Sequence, residues 1–444
     1  MLILYSLALV LFLVLAAPWW LLRMATSGKY REGLTERLGL LPQRIREGLD
    51  GRNVVWVHAV SVGEVLAASR LIEELGARLA QSSGRRATDR WHVVISTTTK
   101  TGQTLARERF GAARVFYFPL DLGWAVRAWL RTLRPRLVVL VETEFWPRML
   151  AECRRRDIPV AVVNARISDR SWPRYRRLVG MWRRLLCDLA AVLAQSELDA
   201  DRLRALGAAK VRVIGNLKYD VRAPELSKIA TTLRASIVPG VPVLVCGSTL
   251  AGEEELLLDA LPPGIVTVLA PRRPERFSEV AEILKKRGAH WMRRSGWGQA
   301  PEKLEVGTVF LLDSIGELAS VYALATVAFV GGSLVPAGGH NPLEAAQFGV
   351  PVLMGPSYEN FRGIVDTLRE RDAIRIAQPS ELKTILSAML ASPTETVAMG
   401  QRGREVFENE AGATERAVEA LMELLQAPKP SAHSQRGDHR EARA

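Results

Sequence analysis

The chain opens with an unbroken apolar run from Met1 to Leu22, MLILYSLALVLFLVLAAPWWLL, that carries no charged side chain. A helix needs about 20 apolar residues to cross bilayer hydrocarbon, so this run predicts a transmembrane anchor over residues 1–22. Trp19 and Trp20 near its end are the ring type favoured at a bilayer interface. A cleaved signal peptide is the competing reading. That pattern begins with a basic segment, whereas here the cations Arg23, Lys29, Arg31 and Arg37 follow the run. Under the positive-inside rule, this order places the rest of the protein in the cytoplasm.

Beyond the anchor, short apolar runs alternate with amphipathic stretches. Strands are predicted at Val54–Val57, His92–Ser96, Val115–Phe118, Leu137–Val141, Val160–Val163, Ala191–Ala194 and Val211–Ile214. Helical patterns such as Val65–Leu79 and Glu197–Leu206 lie between them. Strand–helix alternation predicts an α/β fold, a parallel sheet covered on both faces. Residues 221–240, with Pro224, Pro239 and Gly240, break the pattern and read as a linker. The alternation then restarts, with strands expected at Val243–Cys246, Val266–Leu269, Val309–Leu312, Val327–Val330 and Val350–Leu353. The expected organisation is therefore an N-terminal domain over 23–220, a linker over 221–240 and a second domain over 241–426. A polar tail over 427–444 has no apolar period and is expected to be disordered.

Charge adds to this picture. The 444 residues hold 60 Lys+Arg against 47 Asp+Glu, a net charge of +13, and 50 of the cations are Arg. Such a surface favours anionic partners. The apolar share of 48% is that of an ordinary globular protein and excludes wholesale disorder or a polytopic membrane protein. Cys153, Cys187 and Cys246 are widely spaced, which argues against a disulfide framework and fits a reducing compartment. The segment Arg170–Arg184 carries six Arg and three aromatic residues without an acid. It reads as a membrane-surface segment, with nucleic acid as the rival partner and a merely solvated basic face as the plain alternative.

Ligands of open α/β sheets bind beyond the carboxyl ends of the strands, so the residues after each strand are the candidates for chemistry. After the first strand, His58-Ala-Val-Ser-Val-Gly-Glu64 places Glu64 at a helix start, either as a general base or as a partner of the helix dipole. Gly63 is expected to allow a tight turn there, and His58 reads as a packed histidine. Ser96–Gly102 is a hydroxyl-rich loop able to cap a helix. Glu142-Thr-Glu-Phe-Trp-Pro147 sets two carboxylates after a buried run, one to bind substrate hydroxyls or stabilise a developing cation and one to cap a helix that begins at Pro147. Lys218, in Gly215–Asp220, can neutralise a phosphate or carboxylate. In the second half, Leu269–Phe277 brings basic groups to a strand end, and Asp313–Leu318 brings two acids and a turn. Phe329-Val-Gly-Gly-Ser-Leu334 and Gly338-Gly-His-Asn-Pro-Leu-Glu344 are glycine loops. They let backbone approach a ligand, and a helix starting near Asn341 can hold an anion. Glu344 is placed to accept ribose hydroxyls.

These motifs resemble one family. HAVSVGE, ISTTTKTG, ETEFWP, NARIS, GNLKYD, APRRPERF, DSIGEL, FVGGSLVPAGGHNPLEAA and VLMGPSYENF occur in its order, from about Tyr30 to Phe361. The chain is similar to the 3-deoxy-D-manno-octulosonic acid (Kdo) transferases of lipopolysaccharide assembly. The resemblance implies a GT-B fold: two Rossmann-like domains facing across a cleft, with the acceptor on the first and the nucleotide sugar on the second. It implies CMP-Kdo as donor and a lipid A precursor, lipid IVA, as acceptor at the cell inner membrane. By resemblance, Glu64 is the catalytic base, and Glu142 and Lys218 support the transition state. Pro271 and Arg272, Ile315, Gly316 and Glu317, and Asn341, Pro342, Leu343 and Glu344 would hold CMP. Inverting transfer is expected to proceed without a metal or other cofactor. Inner-membrane anionic lipids rather than nucleic acid are the expected surface partner. The alternatives are another membrane-anchored GT-B transferase using a UDP-sugar, and a non-catalytic binder of anionic lipid.

Overall fold

The computed structural model describes residues 2–27, 32–49, 51–82, 90–222, 227–297 and 303–427. Residues 428–444 of the expected tail lie outside the described residues. The chain divides into two compact units, Met1–Val221 with Ala411–Ala444, and Arg222–Glu410.

The first unit is built on seven strands: β1 (Asn53–His58), β2 (Trp91–Thr97), β3 (Val115–Tyr117), β4 (Leu137–Val141), β5 (Val160–Ala165), β6 (Ala191–Ala194) and β7 (Val211–Val213). All pair in parallel, in the order β3-β2-β1-β4-β5-β6-β7. Leu-Val-Val-Leu-Val of β4 is buried at all five positions, as a strand covered on both faces requires. Alternate side chains build two cores. On one face Trp56 packs among Phe116, Phe118 and Trp129, and the Phe116 and Trp129 rings stack at 4.0 Å. On the other, Val55 and Val57 meet Leu71 and Leu75 of the helix Val62–Gln81.

That second face is completed from the far end of the chain. The helix Ala413–Gln426 sets Ala417, Val418 and Leu421 into the same core, so it belongs to the first unit and not, as the sequence pattern implies, to the second domain. Its amphipathic period shows that it covers a sheet without showing which sheet. The buried carboxylate of Asp220 receives the backbone N–H groups of Gly412 and Thr414 at 2.7 and 2.6 Å and fixes the point of return.

The apolar N-terminus forms one helix, Leu2–Ser27. Its segment Leu2–Trp20 is long and apolar enough to cross a membrane, with a mean hydropathy of 2.4. Ile3, Leu4, Leu11 and Leu15 point away from the body, while Ser6 accepts a 2.7 Å hydrogen bond from Arg148. The basic segment becomes two short helices, Trp172–Arg177 and Val179–Leu186. Tyr175 and Trp182 pack around Phe145, whereas Arg170, Arg174, Arg176, Arg177, Arg183 and Arg184 are exposed. Its aromatics therefore serve the core, and its arginines form the outer face.

The second unit holds β8 (Val243–Thr249), β9 (Val266–Pro271), β10 (Trp291–Arg293), β11 (Val309–Leu311), β12 (Val327–Val330), β13 (Val352–Met354) and β14 (Ile374–Ile376), in the parallel order β10-β11-β9-β8-β12-β13-β14. The two edge strands, β10 and β14, escape the sequence pattern. Each has three residues and includes an arginine, Arg293 or Arg375, as exposed sheet edges allow. The expected linker is shorter than its 20 residues. Within it Lys228–Ser236 forms a helix capped by Ser227, whose hydroxyl accepts from the Ala230 N–H at 3.2 Å, and residues 223–226 lie outside the described residues.

Candidate active site

In the first sheet the order of strands reverses direction between β1 and β4, so the chain leaves these neighbours towards opposite sides and opens a crevice at their carboxyl ends. Glu64 follows β1 and Glu142 follows β4. Glu64 lies in the first turn of the helix Val62–Gln81. One carboxylate oxygen accepts the Val60 N–H at 2.7 Å and the other the Ser61 hydroxyl at 3.1 Å. The residue is 8% exposed. Burial and the neighbouring Glu142 raise its pKa to about 8, against the opposing pull of the Val60 N–H. The helix start thus holds the carboxyl, and burial raises its pKa.

Gly63 does not make the turn. It sits inside the helix, and a Cβ there would meet only Ser61 Oγ, at 3.9 Å. The close approach is at Gly102, where a Cβ would lie 3.2 Å from the Ser61 carbonyl carbon. The hydroxyl-rich loop brings it there: Thr99 caps the helix Lys100–Phe110 by accepting the Gly102 N–H at 3.1 Å. His58 is a packed residue. It is fully buried, stacked on Phe118 at 3.9 Å and bonded through Nδ1 to Ser96, and burial pushes its pKa down to about 3.

Glu142 stands in the left-handed region at a φ of +60°, which a residue with a Cβ adopts only where its surroundings hold it. Its backbone N–H bonds the Val163 carbonyl at 2.8 Å, as a continuation of β4 along β5. Lys218 Nζ lies 4.0 Å from its carboxylate, a long ion pair. Burial lowers the pKa of Lys218, and Glu142 opposes that shift. Burial and then Glu142 raise the pKa of Glu144. The cap of the helix Pro147–Arg154 is neither glutamate but Asp121, whose two oxygens accept the Arg148 and Met149 N–H groups at 2.8 Å each. The structure therefore gathers Glu64, Glu142, Glu144 and Lys218 at one crevice.

In the second unit the corresponding reversal lies between β8 and β12. Pro271 is the buried last residue of β9, and Arg272 projects just beyond it. Arg272 faces His340 and Glu344, which the Gly338–Glu344 loop delivers. Burial pushes Glu344 up to about 6, with Arg272 opposing, and pushes His340 down to about 4, with Arg272 assisting. Asn341 accepts the Leu343 N–H at 3.2 Å, and Pro342 and Leu343 are buried beneath the turn. Ile315 is 67% exposed, Gly316 has a φ of +86°, and Glu317 is paired with Arg294 at 3.1 Å.

The glycine loop after β12, expected to let backbone approach a ligand, is closed around a buried carboxylate. Its N–H groups are already occupied: Glu253 accepts from Gly332, Ser333 and Leu334 at 2.7, 2.9 and 2.8 Å, and from Leu250 at 2.8 Å. This fully buried acid, overlooked in the sequence, serves as an internal anion that shapes the loop. The only signal for it was an acid at a helix start after β8. The glycines are needed for space, since a Cβ on Gly331 would lie 2.5 Å from the Ser248 carbonyl oxygen.

Comparison with known proteins identifies the family. Residues 32–221 match the family model for the N-terminal part of 3-deoxy-D-manno-octulosonic-acid transferases, ending where the first unit's continuous segment ends. The chain is 33% identical to the 3-deoxy-D-manno-octulosonic acid transferase of Haemophilus influenzae, over 90% of this chain and 93% of that one. It is 34% identical to the enzyme of the same name from Bordetella pertussis, over 84% and 87%. Among solved structures, the UDP-GlcNAc 2-epimerase of Neisseria meningitidis shares the fold at 14% identity, with a TM-score of 0.54 over 84% of this chain and all of that one. The paired seven-stranded sheets are thus of the GT-B type, and the chain belongs to the 3-deoxy-D-manno-octulosonic acid transferases, glycosyltransferases of lipopolysaccharide biosynthesis.

Proposed function

We propose that this protein transfers Kdo from CMP-Kdo to a lipid A precursor, lipid IVA, at the cytoplasmic side of the inner membrane, with inversion and with Glu64 as general base. The observation that carries this reading is the Glu64 carboxyl, held by two hydrogen bonds at the strand reversal and raised to about 8. A base works best when its pKa lies near the operating pH. In the step, Glu64 takes the proton of the acceptor hydroxyl while that oxygen bonds to the anomeric carbon of Kdo. The bond from that carbon to the phosphate oxygen breaks, and CMP leaves with its electron pair. Positive charge develops on the sugar, as in glycoside hydrolysis. Glu142 is the carboxylate that would stabilise it, with the Lys218 ammonium 4.0 Å away.

The second unit supplies the donor's half. Arg272 offers a guanidinium to the phosphate. Glu344, its carboxyl half-buried, accepts ribose hydroxyls once ionised, and Ile315–Glu317 and Asn341–Leu343 complete the nucleotide contacts. The first helix anchors the protein, and the six exposed arginines of Arg170–Arg184 attract anionic lipid headgroups.

The test is transfer from CMP-Kdo to lipid IVA in detergent, comparing wild type with Glu64→Gln. Loss of a general base is expected to lower kcat by about 10²–10⁴-fold, with CMP binding retained. Equal rates would move the base to Glu142. Absence of transfer by folded wild type would favour a UDP-sugar donor or a lipid binder.

A further inference from the structure

Lys218 lies in the one-turn segment Leu217–Asp220 after β7, a poor platform for a group that must meet Glu142. A lysine has four rotatable carbons, so its placement depends on how firmly its backbone is held. Asn164 supplies an unusual clamp. It is the penultimate residue of β5, is fully buried, and stands at a φ of +56°. Its Oδ1 accepts the Leu217 N–H at 3.0 Å, reaching across 53 residues of chain. Its carbonyl oxygen accepts from Gln195 Nε2 at 3.0 Å, and Gln195 Oε1 accepts from Asn216 Nδ2 at 3.1 Å. Asn216 Oδ1 in turn accepts the Lys218 N–H at 3.0 Å. Two routes therefore run from Asn164 to the consecutive backbone N–H groups of Leu217 and Lys218, one direct and one through Gln195 and Asn216.

The backbone conformation supports a specific demand for this residue. Asparagine and aspartate are the residues with a Cβ that enter the left-handed region most readily. The acceptor oxygen is used and the amide nitrogen is not, for Asn164 Nδ2 has no partner though it is buried. What the site requires is thus an oxygen acceptor on a left-handed residue near the end of β5.

We propose that Asn164 is the positioning residue for Lys218, fixing the Leu217–Asp220 turn so that the ammonium stays within reach of Glu142. This inference rests on the role given to Lys218 above. Asn164 itself does not touch the reacting atoms.

The experiment is a double-mutant cycle on the full-length enzyme, with kcat and KM for both substrates measured for Asn164→Gly, Lys218→Met and the pair. Glycine removes the oxygen without adding strain at a positive φ. Lys218→Met is expected to lower kcat. Asn164→Gly is expected to lower kcat by about tenfold or more with KM little changed, since a hydrogen bond of about 1.5 kcal/mol corresponds to roughly that factor. The double variant should be no slower than Lys218→Met alone, because two residues acting through one group are not additive. Asn164→Asp, which keeps the acceptor, should recover most of the lost rate. Multiplicative losses in the double variant would overturn the inference, as would a lowered melting temperature with unchanged kcat in Asn164→Gly. If Lys218→Met alone leaves kcat unchanged, the role of Lys218 fails, and the positioning role fails with it.

Discussion

A carboxyl that titrates near 8 makes the enzyme's response to pH a property of one residue. In the proposed role as base Glu64 must be ionised to accept a proton, so kcat/KM is expected to rise tenfold per pH unit below about 8 and to level above it. The ascending limb should disappear in Glu64→Gln. Because Glu142 is the second cause of the shift after burial, Glu142→Gln should move the limb to lower pH while leaving it above the usual glutamate range. Stability follows the same group with the opposite sign. Folding raises this pKa, so the native state holds the proton more tightly, and charging the group costs stability as the pH rises from about 4.5 towards 8. The melting temperature of Glu64→Gln, compared with wild type, should therefore improve steadily between pH 5 and pH 8.

At the scale of elements, the chemistry depends on loops whose geometry is dictated by buried groups elsewhere. Glu253→Ala would leave four backbone donors without their acceptor. A cost of about 3 kcal/mol is expected, read as a shifted denaturation midpoint together with weakened CMP binding in calorimetry. Gly331→Ala forces a Cβ against a backbone oxygen and should weaken CMP binding by the same route. The sequence makes part of this legible. Glu64 and Glu142 are visible because each follows a valine-rich strand, one after a short loop and one directly, and strand ends are where open sheets bind. Glu253, Gly102 and Asn164 are not, because their roles come from contacts spanning 79, 39 and 53 residues, from Glu253 to Gly332, from Thr99 beside Gly102 to Val60, and from Asn164 to Leu217. In the glycine loop, too, only packing shows that a buried carboxylate already takes the N–H groups of Gly332, Ser333 and Leu334. Likewise β10 and β14 are too short and too charged for an apolar pattern, and they exist because a neighbouring strand presents a free edge.

For the molecule as a whole, the two ends of the sequence carry the largest consequences. Deleting residues 1–27 is expected to shift the protein from the membrane pellet to the soluble fraction. Whatever remains bound should come off in high salt, because screening weakens the attraction between exposed arginines and lipid. Residues 222–410 hold a complete seven-stranded sheet with their own core, so this segment expressed alone should fold and bind CMP. A chain ending at residue 410 should not fold its first unit properly, since Val418 and Leu421 would be missing from the core and Asp220 would lose its partners.

That closing helix also sets an order of events during synthesis. The sheet of the first unit keeps part of one apolar face uncovered until Ala413–Gln426, the last described helix, has emerged. The second unit can mature while the first waits. A nascent chain stalled between residues 222 and 410 therefore carries a sheet with one face incompletely covered, the kind of species chaperones hold and proteases remove.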